Sequence, residues 1–352
     1  MSRYWSKVVH GLTPYVPGEQ PKLVNLIKLN TNESPYGPSR KVLDALRAEV
    51  GDTLRLYPDP CSDKLRAAIA KRHGLAPEQV FVGNGSDEVL AQVFQALLKH
   101  AAPVLFPDVT YSFYPVYCAL YGIAYEQVPL NAAFAIDVGD YARPNGGIVF
   151  PNPNAPTGQL VPIAEIERLL EANTSSVVVI DEAYVDFAES EGASSIPLIS
   201  RLANLVVLRT FSKSYSLAGM RIGLALASDE IISGMMKVKD SYNVNRLSMI
   251  AATAALQDLA WMNRNVRRIQ RGRKKLMTAL RRLGYSVYPS HANFVLARKI
   301  GQNLKGVYEE LKRRKILVRY FDAPGLQDCL RITVGTPREI QVLLKEMAAI
   351  DD

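Results

Sequence analysis

Lys213 stands between Ser212 and Ser214, shortly after the apolar run Leu205–Leu208, and Arg221 follows along the same stretch, "RTFSKSYSLAGMR". Lysines ordinarily sit on solvated faces among other charges. An ammonium partly removed from water gives up its proton more readily, which suits a base or a Schiff-base nucleophile. Arg221 offers the planar fork that binds phosphate. The competing reading is a loop lysine reaching into solvent. In "GNGSDE", Gly83 and Gly85 let the backbone approach an anion, and the N–H groups of Gly85, Ser86 and Asp87 would point out of a helix N-terminus. An ordinary glycine turn with a Ser or Asp cap reads the same way. Asp181 ends the apolar run of "SVVVIDEAY", where a carboxylate is expensive to bury without a partner. A protonated ring nitrogen of a cofactor is one candidate partner; a helix N-cap role is the alternative.

Each of these residues follows a predicted strand. "VFV" runs into "GNGSDE" and a helix, while "PVLFPDVTY" and "GGIVFPNPNAPTG" run into loops. "PIAEIERLLEAN" reads as a helix, and "SVVVI" is so continuously apolar that both its faces must be covered. "NLVVLRTF" and "IGLALAS" are further strands, and "SDKLRAAIAKRHG" is a helix that Gly74 stops. Strands alternating with helices predict an α/β unit with a mostly parallel sheet over residues 45–250. Residues 251–352 read as a smaller α+β unit: a long basic helix, "YSVYPSHANFVLAR", a helix near 303–314, "ILVRYF", "CLRITVG" and a last helix. Residues 1–44 form an irregular Pro-, Gly- and Asn-rich arm, expected to pack on the smaller unit, and a helix that begins after Pro38.

Composition narrows the classes. The chain has 352 residues, 48% hydrophobic and 22% charged, the balance of a globular protein too long for one ordinary core. No apolar run approaches the roughly 18 residues that span a bilayer, and "MSRYWSKVVHGLTPY" has no signal-peptide apolar region, so a cytoplasmic protein is expected. Cys61, Cys118 and Cys329 are scattered, as are the four histidines, and no metal-binding spacing occurs. The net charge of +8 falls largely in 263–282 and "LKRRK". We read these as solvated helix faces, with Val266, Ile269, Leu276 and Leu280 as the buried stripe, because no nucleic-acid motif accompanies them.

In open parallel sheets, ligands bind beyond the carboxyl ends of the strands. An anion cradle, a buried aspartate, a strand-end lysine with an arginine behind it and the aromatic loop "DVTYSFY" each follow a separate strand. A phosphate-bearing aromatic cofactor held through a lysine would use all of them, which describes pyridoxal 5′-phosphate.

The chain resembles the fold type I pyridoxal-phosphate-dependent aminotransferases. The resemblance runs from "LTPYVPGE" and "KLNTNESPYGPS" through "LYPDP", "GNGSDE", "PNPNAPTG", "DEAY" and "RTFSKSYSLAGMRIG" to "NFVLAR", "VRYF" and "LRITVGT". The arm motifs with "VRYF" and "LRITVGT" are similar to the histidinol-phosphate branch. This implies a large domain with a mostly parallel seven-stranded sheet, a smaller α+β domain and a homodimer. Lys213 would carry the cofactor and move the proton, Asp181 would pair with the ring nitrogen, and Tyr184 would bond the ring hydroxyl. Tyr111 would stack on the ring, although a core aromatic near a strand end reads alike. Gly85, Ser86, Asp87, Ser212 and Arg221 would hold the phosphate, with Tyr57 reaching it from the neighbouring subunit. Ala155 departs from the family, which usually has Asn before "PTG"; Asn154, Asn152 or Tyr184 alone would compensate, and Asn154 is named. Arg319 and Arg331 would bind the phosphate or carboxylate of the substrate, structural ion pairs being the other reading, and Tyr15 and Asn32 would line the imidazole side. The implied reaction is transamination between L-histidinol phosphate and 2-oxoglutarate. Threonine-phosphate decarboxylation and aromatic amino-acid transamination are the rivals.

Overall fold

The computed structural model describes residues 2–12, 18–21, 24–190 and 192–351. Its strands, in chain order, are β1 (Ile27–Lys28), β2 (Val80–Gly83), β3 (Val104–Pro107), β4 (Tyr125–Val128), β5 (Ile148–Pro151), β6 (Val178–Asp181), β7 (Leu205–Thr210), β8 (Gly223–Leu226), β9 (Ser286–Val287), β10 (Phe294–Arg298), β11 (Ile316–Leu317), β12 (Arg319–Tyr320) and β13 (Cys329–Thr333).

A seven-stranded sheet has the order β2-β8-β7-β6-β5-β3-β4. Its strands run parallel save β8, which lies antiparallel between β2 and β7. The architecture is α/β. Every residue of β2, β3, β5, β6 and β8 is buried, as expected of strands covered on both faces. Strand β4 was not expected. It is an edge strand, and three of its four residues are exposed, so no apolar run marks it in the sequence. Because β2, β3, β5, β6 and β7 point the same way, the segments after Gly83, Pro107, Pro151, Asp181 and Thr210 emerge along one edge.

A second, antiparallel sheet has the order β12-β13-β10-β9. The arm joins it from the other end of the chain. β1 pairs parallel with β11, and the Leu29 carbonyl accepts from Thr333 N at 2.9 Å. The helix Arg40–Glu49 begins after Pro38, its first turn capped by Ser39, whose hydroxyl accepts from Val42 N.

The long helix Leu259–Arg282 buries Val266, Ile269, Leu276 and Leu280 as a stripe and turns most of its cations outward. Arg273 is the exception. It lies in the buried stripe, donating to the carbonyls of Phe187 at 2.9 Å and Ala292 at 2.7 Å and pairing with Glu189 at 2.9 Å. It ties the helix to the segment that follows Tyr184 and to the segment that precedes β10. Among the described residues, no helix is long and apolar enough to cross a membrane.

Candidate active site

The shared strand edge opens on a cavity of about 430 Å³, closed on its far side by the arm and by β12 and β13. Such a volume suits a small-molecule ligand. Lys213, Asp181 and Tyr184 all face it. Lys213 Nζ lies 3.4 Å from the Thr31 carbonyl and 5.6 Å from the centre of the Tyr184 ring. Phe294 meets that ring edge-on at 5.1 Å.

The loop that carries Lys213 is held from beneath. Arg209, the one cation in β7, donates to Glu182 Oε2 at 3.1 Å and to Asp186 Oδ1, and Ser214 donates to the other oxygen of Asp186. Glu182 also accepts from Ser194 Oγ at 2.7 Å. Breaking a buried pair of this kind from one side costs about 3–5 kcal/mol. Ser216 Oγ reaches Ser34 Oγ at 2.9 Å, which links the same loop to the arm. This scaffold was missed in the sequence, although a lone arginine in an otherwise apolar strand was its visible signal.

Asp181 ends β6, opposite Pro151 and Leu208. Only 7% of it is exposed, and its Oδ1 accepts from Ala183 N at 3.1 Å. Burial pushes its carboxyl up to about 7; the Ala183 hydrogen bond and the charge of Lys213 restrain that rise, and the charge of Asp87 adds to it. A carboxylate in this position gains from a cation placed in the cavity.

At the opposite end lies a helix N-terminus. The helix Ser86–Leu97 starts at Gly85, whose φ of +86° favours glycine. The expected use of the Gly85 N–H is corrected by the structure: it donates to the Gly83 carbonyl at 2.9 Å, and Gly85 is not part of the cavity wall. Gly85 acts instead by being small, since a Cβ there would collide with the Arg221 guanidinium. Ser86, Asp87, Ser212 and Arg221 do line the cavity. The Asp87 carboxylate bridges Arg221 Nη2 and Tyr111 Oη, each at 2.9 Å, leaving its backbone N–H at the head of the helix dipole.

Arg319 and Arg331 complete the far wall. They are cross-strand partners in β12 and β13, so both guanidinium groups leave the sheet on one face. Planar guanidinium forks on one face can bind a phosphate or a carboxylate. Arg331 also donates to the Asn30 carbonyl at 2.8 Å, and its guanidinium lies 5.3 Å from the Phe294 ring.

Asn32 lines the cavity, with its side-chain amide bonded to Tyr184 and Thr333. Asn154 does not line it. Its amide donates to the Val109 carbonyl and Thr157 Oγ1 and accepts from Thr110 Oγ1, so the expectation that it substitutes for the missing Asn is corrected. Asn152 is likewise engaged, with both polar atoms on the backbone of Val161. Ala155 itself forms part of the wall. Tyr57 is absent from the cavity of its own chain; it is 79% exposed and stacks on Tyr242 at 4.5 Å. Tyr15 falls outside the described residues.

A strand-end lysine, a buried aspartate and a helix N-terminus with an arginine thus surround one cavity. Comparison with known proteins gives the same picture over the whole chain. The family model for aminotransferase class I and II matches residues 24–347. The chain is 56% identical to histidinol-phosphate aminotransferase 2 of Thiobacillus denitrificans, covering 99% of this chain and 98% of that one. A crystal structure of histidinol-phosphate aminotransferase from Sinorhizobium meliloti in complex with pyridoxal-5′-phosphate superposes with a TM-score of 0.92 at 26% identity, covering 100% of this chain and 98% of that chain. L-threonine-O-3-phosphate decarboxylase from Porphyromonas gingivalis superposes with a TM-score of 0.82 at 26% identity, covering 92% and 99%. Matched from arm to last helix and built around such a cavity, the chain belongs to the class I and II aminotransferases.

Proposed function

We propose that the chain transaminates L-histidinol phosphate with 2-oxoglutarate, giving 3-(imidazol-4-yl)-2-oxopropyl phosphate and L-glutamate, a step of histidine biosynthesis. The observation that carries the substrate is the register of Arg319 with Arg331 across the cavity from Lys213. One substrate carries a phosphate ester and the other two carboxylates, and planar guanidinium forks bind both kinds of anion.

The cavity fits pyridoxal 5′-phosphate, the cofactor of this family. Asp181 is buried and gains from a ring cation, Ser86 and Asp87 in the first turn of the helix line the cavity, and Arg221 lines it beside them. These residues with Ser212 would hold the phosphate at one end and the ring nitrogen at the other, Tyr111 covering the ring. When bound, the cofactor supplies an aldehyde that takes up the substrate amine and a conjugated ring that draws electrons from the neighbouring carbon. Lys213 Nζ would hold and move the proton of the substrate carbon that bears the amine. Asp181 would lie beside the ring nitrogen, whose charge would favour the ionised carboxylate. Tyr184 orients the ring through its hydroxyl. Arg319 and Arg331 would anchor the substrate's remote anion and so orient its amine end toward Lys213.

Assay of the purified protein tests this reading. Glutamate is expected from 2-oxoglutarate when L-histidinol phosphate is the donor, at a kcat/KM at least about tenfold above that for aromatic amino acids, a gap worth only 1.4 kcal/mol. CO₂ release from threonine phosphate, with no glutamate from histidinol phosphate, would sink it in favour of the decarboxylase.

We further propose a homodimer in which Tyr57 reaches the phosphate site of the neighbouring subunit. Exposed Val50, Leu54, Leu56, Tyr57 and Tyr242 supply an apolar surface for that contact. Sedimentation is expected to show dimers, with Tyr57→Phe loosening the cofactor several-fold; a fully active monomer removes Tyr57 from the site.

A further inference from the structure

The cavity wall contains a chain of hydrogen bonds whose direction can be deduced. Asn32 N donates to Thr333 Oγ1 at 3.0 Å, so the threonine oxygen accepts there. The one hydrogen of that hydroxyl then goes to Asn32 Oδ1, 3.1 Å away; among the described residues no other acceptor is bonded to it, and Thr333 is only 3% exposed. With its oxygen turned to Thr333, the Asn32 amide presents Nδ2 to Tyr184 Oη at 3.0 Å and donates. Tyr184 Oη is therefore an acceptor on that side. Its own hydrogen has to point elsewhere, and the residue lines the cavity.

We propose that Thr333 is a positioning residue which, through Asn32, turns the Tyr184 hydroxyl into a hydrogen-bond donor aimed into the cavity, toward the ring oxygen of the cofactor. The proposal rests on the cofactor reading above. The backbone supports the relay at each joint. Asn32 has a φ of +56°, a left-handed conformation that asparagine tolerates, and its carbonyl accepts from Asn293 Nδ2 at 2.9 Å. Thr333 lies two residues after Arg331 on β13, and so on the same face. The relay also accounts for Ala155. Its side chain brings no amide to the cavity, Asn152 and Asn154 are bonded elsewhere, and the Tyr111 hydroxyl donates to Asp87. An amide from the arm does the work at one remove, by orienting the phenol.

A donor aimed at the ring oxygen withdraws negative charge from it, which lowers the pH at which the cofactor's visible band changes when it is attached to Lys213. Spectrophotometric pH titration of the loaded protein reads this directly. In Thr333→Val the midpoint is expected to rise by roughly half to one pH unit, the size of one net hydrogen bond. Thr333→Ser is expected to restore it. Asn32→Gly, which keeps the left-handed backbone and removes the amide, is expected to reproduce the rise. In a Tyr184→Phe background Thr333→Val is expected to add nothing, because the phenol is the route of its effect. A wild-type midpoint in both Thr333→Val and Asn32→Gly overturns the relay, and so does a Thr333→Val shift that persists without the phenol, which marks a merely structural role. A wild-type protein with no such band at any pH overturns the cofactor reading and the relay together.

Discussion

Lys213→Ala is expected to lower the transamination rate by at least roughly 10²–10⁴-fold, the usual contribution of a positioned proton-transfer group, while leaving the fold intact. The two halves of that expectation have separate grounds. The side chain faces the cavity, and among the described residues its ammonium makes one long hydrogen bond, 3.4 Å to the Thr31 carbonyl, and lies over the Tyr184 ring. No core residue among those described loses a hydrogen bond when it is truncated. The loop keeps its shape through Arg209, Glu182 and Asp186 below and through Ser216 against Ser34 above. Truncation of a side chain that fills no core and caps no helix usually changes stability by less than about 0.5 kcal/mol. Borohydride reduction of the loaded wild type is expected to fix the cofactor to Lys213, read by peptide mass, and the variant is expected to bind it reversibly. A variant that transaminates at the wild-type rate would overturn the role given to this lysine.

The positions legible in the sequence were those whose environment the local pattern already specified. Asp181 ends one apolar strand and Lys213 lies in the loop just past another, and a parallel sheet sends such ends to one edge, so their meeting followed from topology. Direction was harder to read. Periodicity marked "IGLALAS" as a strand but carries no information on which way it runs, and β8 lies antiparallel. β4 escaped notice because its residues are mostly exposed and leave no apolar signature. Asn154 was assigned by proximity to Ala155, yet adjacency in the chain does not say where a side chain points, and Val109, Thr157 and Thr110 claim this one. The Asn32–Thr333 contact joins residues 301 positions apart, a distance over which no local pattern operates. The Gly85 N–H failed for a geometric reason: the turn that frees the helix N-terminus uses that hydrogen to close on Gly83.

Asp181→Asn is expected to reduce kcat by about 10²–10³-fold, the range found when one preorganised electrostatic partner of the reacting group is removed. It is also expected to alter how the cofactor-free protein responds to pH. Burial raises the Asp181 carboxyl from 3.8 to about 7. The folded, cofactor-free protein thus holds this proton more tightly than the unfolded chain does. The resulting stabilisation is complete below the unfolded value and is lost as pH rises through about 7. Asparagine has no proton to lose, so the Tm of the cofactor-free wild type should fall relative to that of the variant between about pH 4 and pH 7 and level off above it. Taking the difference between the two proteins removes the contributions of other titrating groups, Glu182 among them, whose carboxyl burial also raises. A ring cation reverses the effect, because it favours the ionised carboxylate. The gain in Tm on loading the wild type with cofactor should therefore grow with pH over that interval, and the gain in Asp181→Asn should stay level. Parallel Tm–pH curves for the two cofactor-free proteins would show that Asp181 does not carry this proton, and a variant within a few-fold of wild-type kcat would separate Asp181 from the chemistry.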